Sequence, residues 1–179
     1  HIDHYTLSGV PNTGFTEALA FVFQKRDLML MGYDQAVDDN TTLDIFWGLY
    51  EIMGVSLVDM RMWQWLYAHP DATAQQLREA TLAIAKEVWN TYYYPVLGEQ
   101  DSPILACYSH MINAPMYLPN YPFGHIVEFQ LEEHLAQFPT KQAFADEIMR
   151  IYKLGKLTPN QWMQQAVGSN LSTTPILNA

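Results

Sequence analysis

One cysteine, Cys107, stands in 179 residues, so no intrachain disulfide can form and redox chemistry does not indicate a compartment. By its type, Cys107 reads as a small core residue. Basic residues are scarce as well: nine Lys and Arg face nineteen Asp and Glu, a net charge of -10. Such a balance repels a phosphate backbone and an anionic membrane surface, so nucleic acid is not an expected partner. Long apolar runs are missing. The richest stretches, 18–23 and 82–85, fall far short of the roughly 20 residues a membrane helix needs, and a soluble chain without membrane insertion is expected. No internal repeat, heptad seam or long polar/apolar alternation occurs, which removes solenoids, coiled coils and any demand for a sheet. What is present is 49% apolar and 13% aromatic, enough for one sizeable core and, by length, one domain over residues 1–179.

The pattern predicts an all-α, irregular multi-helix domain. Thr13 is placed to N-cap a helix reaching about Met31, with Gly32 as its stop. A second helix is expected from Asn40 or Thr41 to about Ala68, halted by His69-Pro70. Thr73-Ala74-Gln75-Gln76 has the form of a capping box and opens a third helix through Trp89, fading at Tyr92-Tyr93-Tyr94-Pro95. Residues 95–122 hold five of the ten prolines and read as irregular backbone, with a short helix or strand between Ile104 and Met111. Helix resumes near Phe123 and runs to Ala136 or Gln137, then from Thr140 to about Leu154. Thr158-Pro159-Asn160-Gln161 is a second capping box, whose helix ends at Gly168.

Two places carry chemistry. Glu17 lies among Phe15, Ala18, Leu19, Ala20 and Phe21, and a carboxylate so surrounded loses several kcal/mol of hydration unless a cation or good donors meet it. A helix N-terminus, Lys25 or Arg26 would satisfy it, and so would a zinc ion held partly by histidines; no H-E-x-x-H occurs in the chain. The second place is His110, Tyr117 and Tyr121, within the proline-interrupted stretch 108–121. Donors on stiff irregular backbone suit oxyanion stabilisation, because they reorganise little as charge develops. A phenol with an ordinary pKa of about 10 keeps its proton for donation at pH 7.

Gly14-Phe15-Thr16-Glu17-Ala18, then Leu57-Val58-Asp59 with Trp63-Gln64-Trp65, then His110, Tyr117, Tyr121 and Phe129-Gln130, and finally Lys153-Leu154-Gly155, follow one another along nearly the whole chain. In this order they resemble the zinc peptidases in which H-E-x-x-H is followed by a glutamate on the next helix, the gluzincins, in particular the angiotensin-converting enzyme family and more loosely the thimet-type oligopeptidases. The resemblance implies the C-terminal part of a helical catalytic domain. It implies Glu17 as a zinc ligand, Tyr121 and His110 as donors to the oxyanion or substrate, and Tyr117 as a substrate-binding residue. It also places H-E-x-x-H just upstream of His1, in the same parent polypeptide, so the 179 residues alone are expected to be inactive. Peptide is the implied substrate. Two positions differ from the family pattern: Tyr108 replaces a lysine, and the step from His110 to Tyr121 is one residue longer.

Other candidates carry less. His1 and His4 share a helix-like i, i+3 spacing and are read as exposed or packed. His125, Glu128 and Glu132 at i, i+3, i+7 offer a metal-like face that an ordinary polar helix face also produces. His134 and His69 read as surface residues near helix ends. Trp47, Met53, Trp63 and Met149 are expected in the core. The alternative function is a non-catalytic helical peptide-binding or interaction module with the same fold.

Overall fold

The computed structural model describes residues 8–26, 31–32 and 39–179, without the side chains of 39–42. His1 and His4 lie outside the described residues, as does most of the predicted continuation of the first helix towards Met31. The described residues are all-α: nine α-helices and one 3-10 turn, with no strand among them. The helices are α1 (Thr13–Gln24), α2 (Asp39–Ala68), α3 (Ala74–Tyr92), α4 (Tyr94–Leu97), α5 (His110–Asn113), α6 (Asn120–Leu135), α7 (Lys141–Tyr152), α8 (Pro159–Val167) and α9 (Thr174–Asn178). The 3-10 turn, Ile104–Ala106, and α5 stand where the sequence left helix or strand open. No described helix is long and apolar enough to cross a membrane.

The chain divides into two compact units, one from His1–Ala36 with Phe123–Ala179 and the other from Val37–Pro122. The second unit is built on α2 and α3. Val55, Val58 and Met62 on α2 meet Ala85, Val88 and Trp89 on α3, and Leu105, Met111 and Leu118 of the irregular segment close the same cluster. Thr73 caps α3 as a full capping box, its hydroxyl accepting from the Gln76 N–H while the Gln76 side chain accepts from the Thr73 N–H. Gly54 is required at the crossing, because a Cβ there would stand 2.1 Å from the Tyr93 hydroxyl oxygen. That hydroxyl donates to the Tyr50 carbonyl, and burial pushes the Tyr93 phenol up to about 12.

In the first unit Phe15, Ala18, Leu19 and Val22 of α1 pack with Val127, Leu131 and Leu135 of α6, Ile148 and Ile151 of α7, and Trp162 and Met163 of α8. Phe15 lies edge-on to both Phe123 and Trp162, at 5.6 and 5.0 Å between ring centres. Arg150 ties α7 to the end of α8 by donating to the carbonyls of Gln165 and Ala166, at 2.8 and 2.6 Å. These are orphan carbonyls of a helix C-terminus, so the guanidinium acts as a C-cap supplied from a neighbouring helix.

Several local expectations are corrected. Asn12, in extended conformation, is the N-cap of α1 in place of Thr13, and the helix closes at Gln24 with Lys25 as C-cap. Helix α6 begins at Asn120, three residues earlier than predicted, because Pro122 falls in the first turn, where a missing N–H leaves no bond unmade. Thr158 makes no capping bond; its hydroxyl donates to the Gln161 side-chain oxygen instead, at 2.8 Å. Cys107 is exposed, because the 3-10 turn buries Leu105 and turns the following residue outward. Trp47, Met53 and Met149 are also exposed, lying off the helix faces that carry Leu49, Val55, Ile148 and Ile151. Trp63, half-buried, packs against the α2–α3 core.

Candidate functional site

Glu17 sits on α1 between the buried positions Phe15, Ala18 and Leu19, yet it is half-buried, not interior. The helix is two-faced: Thr13, Thr16, Ala20 and Gln24 are exposed, so the apolar run does not encircle it. What fixes Glu17 is a close crossing with α6. A Cβ added to Gly124 would meet the Glu17 Cβ at 2.9 Å, the Gly14 carbonyl at 3.1 Å and the Phe21 ring at 3.1 Å, while one on Gly14 would meet the Phe123 ring at 2.4 Å. Two glycines thus let the backbones approach, and the stem of Glu17 is wedged at their contact.

The two cations near it in sequence both reach acids of α6. Lys25 Nζ lies 2.9 Å from Glu128 Oε1, and Arg26 forms a two-armed pair with Glu132 at 2.5 and 2.8 Å. His125, stacked on Phe21 with 4.0 Å between ring centres, contacts the other Glu128 oxygen through Nδ1 at 2.7 Å. The His125–Glu128–Glu132 face is therefore an ion-paired network with Glu128 only 1% exposed, not the solvent-facing polar stripe the spacing suggested. His134 likewise departs from its surface reading: its Nε2 meets Glu147 Oε1 at 2.6 Å, and Arg150 clasps the same carboxylate at 2.5 and 2.8 Å. The Arg150 hydrogen bonds, aided by His134 and opposed by burial, hold the Glu147 carboxyl down to about 2. His69 is exposed, as expected, and stacks on Trp65 at the end of α2.

The second candidate group comes together within its own unit. His110 opens α5, Tyr117 lies in the following loop and Tyr121 is in the first turn of α6. Ring centres are 5.9 Å apart for His110 and Tyr117, 6.3 Å for His110 and Tyr121, and 5.5 Å for the two tyrosines. Tyr108 joins at 5.3 Å from His110. His110 Nδ1 is buried and makes no hydrogen bond, which is uncommon for a buried polar atom. The backbone between them is turned at every step: the Tyr117 N–H donates to Ala114, that of Asn120 to Tyr117 and that of Tyr121 to Leu118. Met116 has φ of +60°, a left-handed conformation that costs a non-glycine residue about 1–2 kcal/mol and persists only where surroundings enforce it.

Beneath that loop lies a second acid. Asp59 is fully buried on α2, more so than Glu17, and neither of its oxygens makes a hydrogen bond in full geometry. The Trp63 indole N–H, also buried, is unpaired too. Desolvation raises the Asp59 pKa, offset in part by the Met116 N–H and the Trp63 indole, which face the carboxylate. Ser56, one turn earlier, is 2.9 Å from the Leu118 carbonyl through its hydroxyl. The signal was available: Asp59 in Val55-Ser56-Leu57-Val58-Asp59 is an acid in an apolar run, as Glu17 is.

As a metal site the described residues are incomplete. Glu17 offers one carboxylate, and no group of three His, Cys, Asp or Glu among the described residues is arranged to hold an ion. A cavity of about 570 Å³ in the first unit is lined by Lys25, Phe129, Gln130 and the tail residues Ser169 and Pro175, and includes none of the predicted site residues. No family model, curated protein or solved structure matches the chain.

Proposed function

We propose that this chain is the C-terminal portion of the catalytic domain of a zinc-dependent peptidase that hydrolyses short peptides. The observation that carries the reading is the convergence of His110, Tyr117 and Tyr121 into one ring cluster on turned, proline-stiffened backbone, with the buried His110 Nδ1 lacking a partner. Glu17 serves as one carboxylate ligand, and the remaining ligands come from an H-E-x-x-H segment of the same parent polypeptide. Zinc, when bound, supplies polarisation of the peptide carbonyl and a water of lowered pKa. The residues of this chain do the rest. Tyr121 donates its phenolic hydrogen to the oxygen that gains charge as the scissile carbon becomes tetrahedral. His110 donates to the same oxygen or to the adjoining substrate amide, and Tyr117 holds the substrate backbone. Because the donors are set before charge develops, their hydrogen bonds strengthen most in the transition state.

Steady-state kinetics of the zinc-loaded full-length protein on a fluorogenic peptide tests these roles. Tyr121→Phe should lower kcat by about 100-fold to 1,000-fold with little change in KM, as removal of an oxyanion donor does. Tyr117→Phe should instead raise KM with a smaller effect on kcat. An unchanged kcat in the Tyr121 variant refutes its role. The incomplete donor set among the described residues favours a second reading, a helical peptide-binding module without catalysis. Peptide binding without hydrolysis by the zinc-supplemented full-length protein would establish that reading in place of the first.

A further inference from the structure

We propose that Ser56 and Asp59 are positioning residues: a two-point clamp on α2 that sets the backbone on either side of Tyr117 and, through the Leu118 carbonyl, the start of the helix carrying Tyr121. The pair is spaced one helical turn apart on a face where both residues are buried. Their targets are the two neighbours of Tyr117. Ser56 Oγ reaches the Leu118 carbonyl at 2.9 Å while also lying 2.7 Å from the Ile52 carbonyl of its own helix, so its single hydrogen is shared. Asp59, an acceptor, faces the Met116 N–H. Ser56 thus gives a hydrogen to the carbonyl that the loop presents, and Asp59 sets a buried acceptor opposite the loop's N–H.

Three features mark this as more than packing. An acid sealed from water with no cation or complete hydrogen bond on either oxygen is a costly choice for a core position that leucine would fill. The residue it faces, Met116, has the left-handed φ that needs enforcement from outside. Finally, the Leu118 carbonyl held by Ser56 is the acceptor for the Tyr121 N–H, at 3.1 Å, so the clamp is connected to both tyrosines through backbone alone. The inference on geometry stands by itself; its consequence for catalysis rests on the peptidase reading.

Hydrogen exchange followed by mass spectrometry on the full-length protein tests the clamp without requiring activity. In Asp59→Leu, amides of 114–121 should exchange about tenfold faster while those of α3 keep their protection, because the acceptor facing the Met116 N–H is gone. Asp59→Asn, which keeps a carbonyl acceptor, should stay near the parent rate. Ser56→Ala should accelerate 118–121 locally, and it decides the matter if Asp59→Leu does not fold. Parent-like exchange across 114–121 in Ser56→Ala and in a folded Asp59→Leu overturns the proposal. With a fluorogenic peptide, Ser56→Ala should reduce kcat and move KM, with bound zinc unchanged. Failure of the unsubstituted protein to hydrolyse any peptide would count against the peptidase reading and leave the exchange result intact.

Discussion

Replacing Glu147 by glutamine removes the charge at the centre of the α7 network while keeping its shape. In the folded chain the carboxyl is held at about 2 against an ordinary 4.5, chiefly by the Arg150 guanidinium and secondarily by His134. A gap of about 2.5 units corresponds to a ceiling of about 3 kcal/mol at neutral pH. Arg150 is 43% exposed along its side chain, so solvent screens the pair, and about 1–2 kcal/mol is the expected cost of Glu147→Gln at pH 7. The sign follows from the depressed folded pKa: the stabilisation is complete above 4.5 and disappears as pH falls towards 2. Urea unfolding followed by tryptophan fluorescence, with Trp162 buried in the same unit, measures both proteins across that range. The parent should lose its advantage progressively below pH 4.5, the variant having no such group to protonate. A difference that stays constant from pH 7 to pH 2.5 would refute the assignment of this stability to the ionised carboxyl.

At the α1–α6 crossing, Gly124→Ala places a methyl 2.9 Å from the Glu17 Cβ and 3.1 Å from a backbone carbonyl, so despite alanine's better helix propensity it should destabilise by about 1–2 kcal/mol in urea unfolding. Gly54→Ala meets the Tyr93 hydroxyl at 2.1 Å and its ring carbons at 2.6 and 2.7 Å and should cost about 1–3 kcal/mol in urea unfolding; a variant as stable as the parent would contradict the contact. Glu17→Gln in the full-length protein should lower zinc content and peptidase activity together, read by metal analysis and turnover, and full retention of both would make Glu17 a structural acid.

Local signals were read well wherever the physics is local. The capping box at Thr73 and Gln76 involves four consecutive residues and formed as predicted, and the proline-rich segment 95–122 gave only short helical pieces. The same pattern at Thr158 and Gln161 made only the contact between the two side chains, which Thr73 and Gln76 make in addition to their backbone bonds, so the spacing brings the side chains together without fixing the cap. Exposure was least legible. Trp47 and Met53 lie on a 30-residue helix that is apolar on more than one side, and only the packing of α3 and the 3-10 turn selects which side is covered. The charged side chains of α6 were misread for a related reason: Glu128 pairs with Lys25 and His134 with Glu147, both from other elements, and helical spacing reveals only partners on the same helix.

The two acids make the limit of such reading concrete. Glu17 and Asp59 have the same signature, a carboxylate within a run of apolar residues, and the same desolvation argument applies to each. Their surroundings differ. Beside Glu17 a helix with Gly124 at the crossing approaches so closely that the stem is wedged while the residue remains half-exposed. Above Asp59 a loop folds down, its backbone N–H and the Trp63 indole face the acid, and water is excluded entirely. A half-exposed carboxylate keeps part of its hydration, whereas a sealed one depends wholly on the groups that cover it. That difference separates the two acids, and it depends on long-range partners that no window around either residue contains.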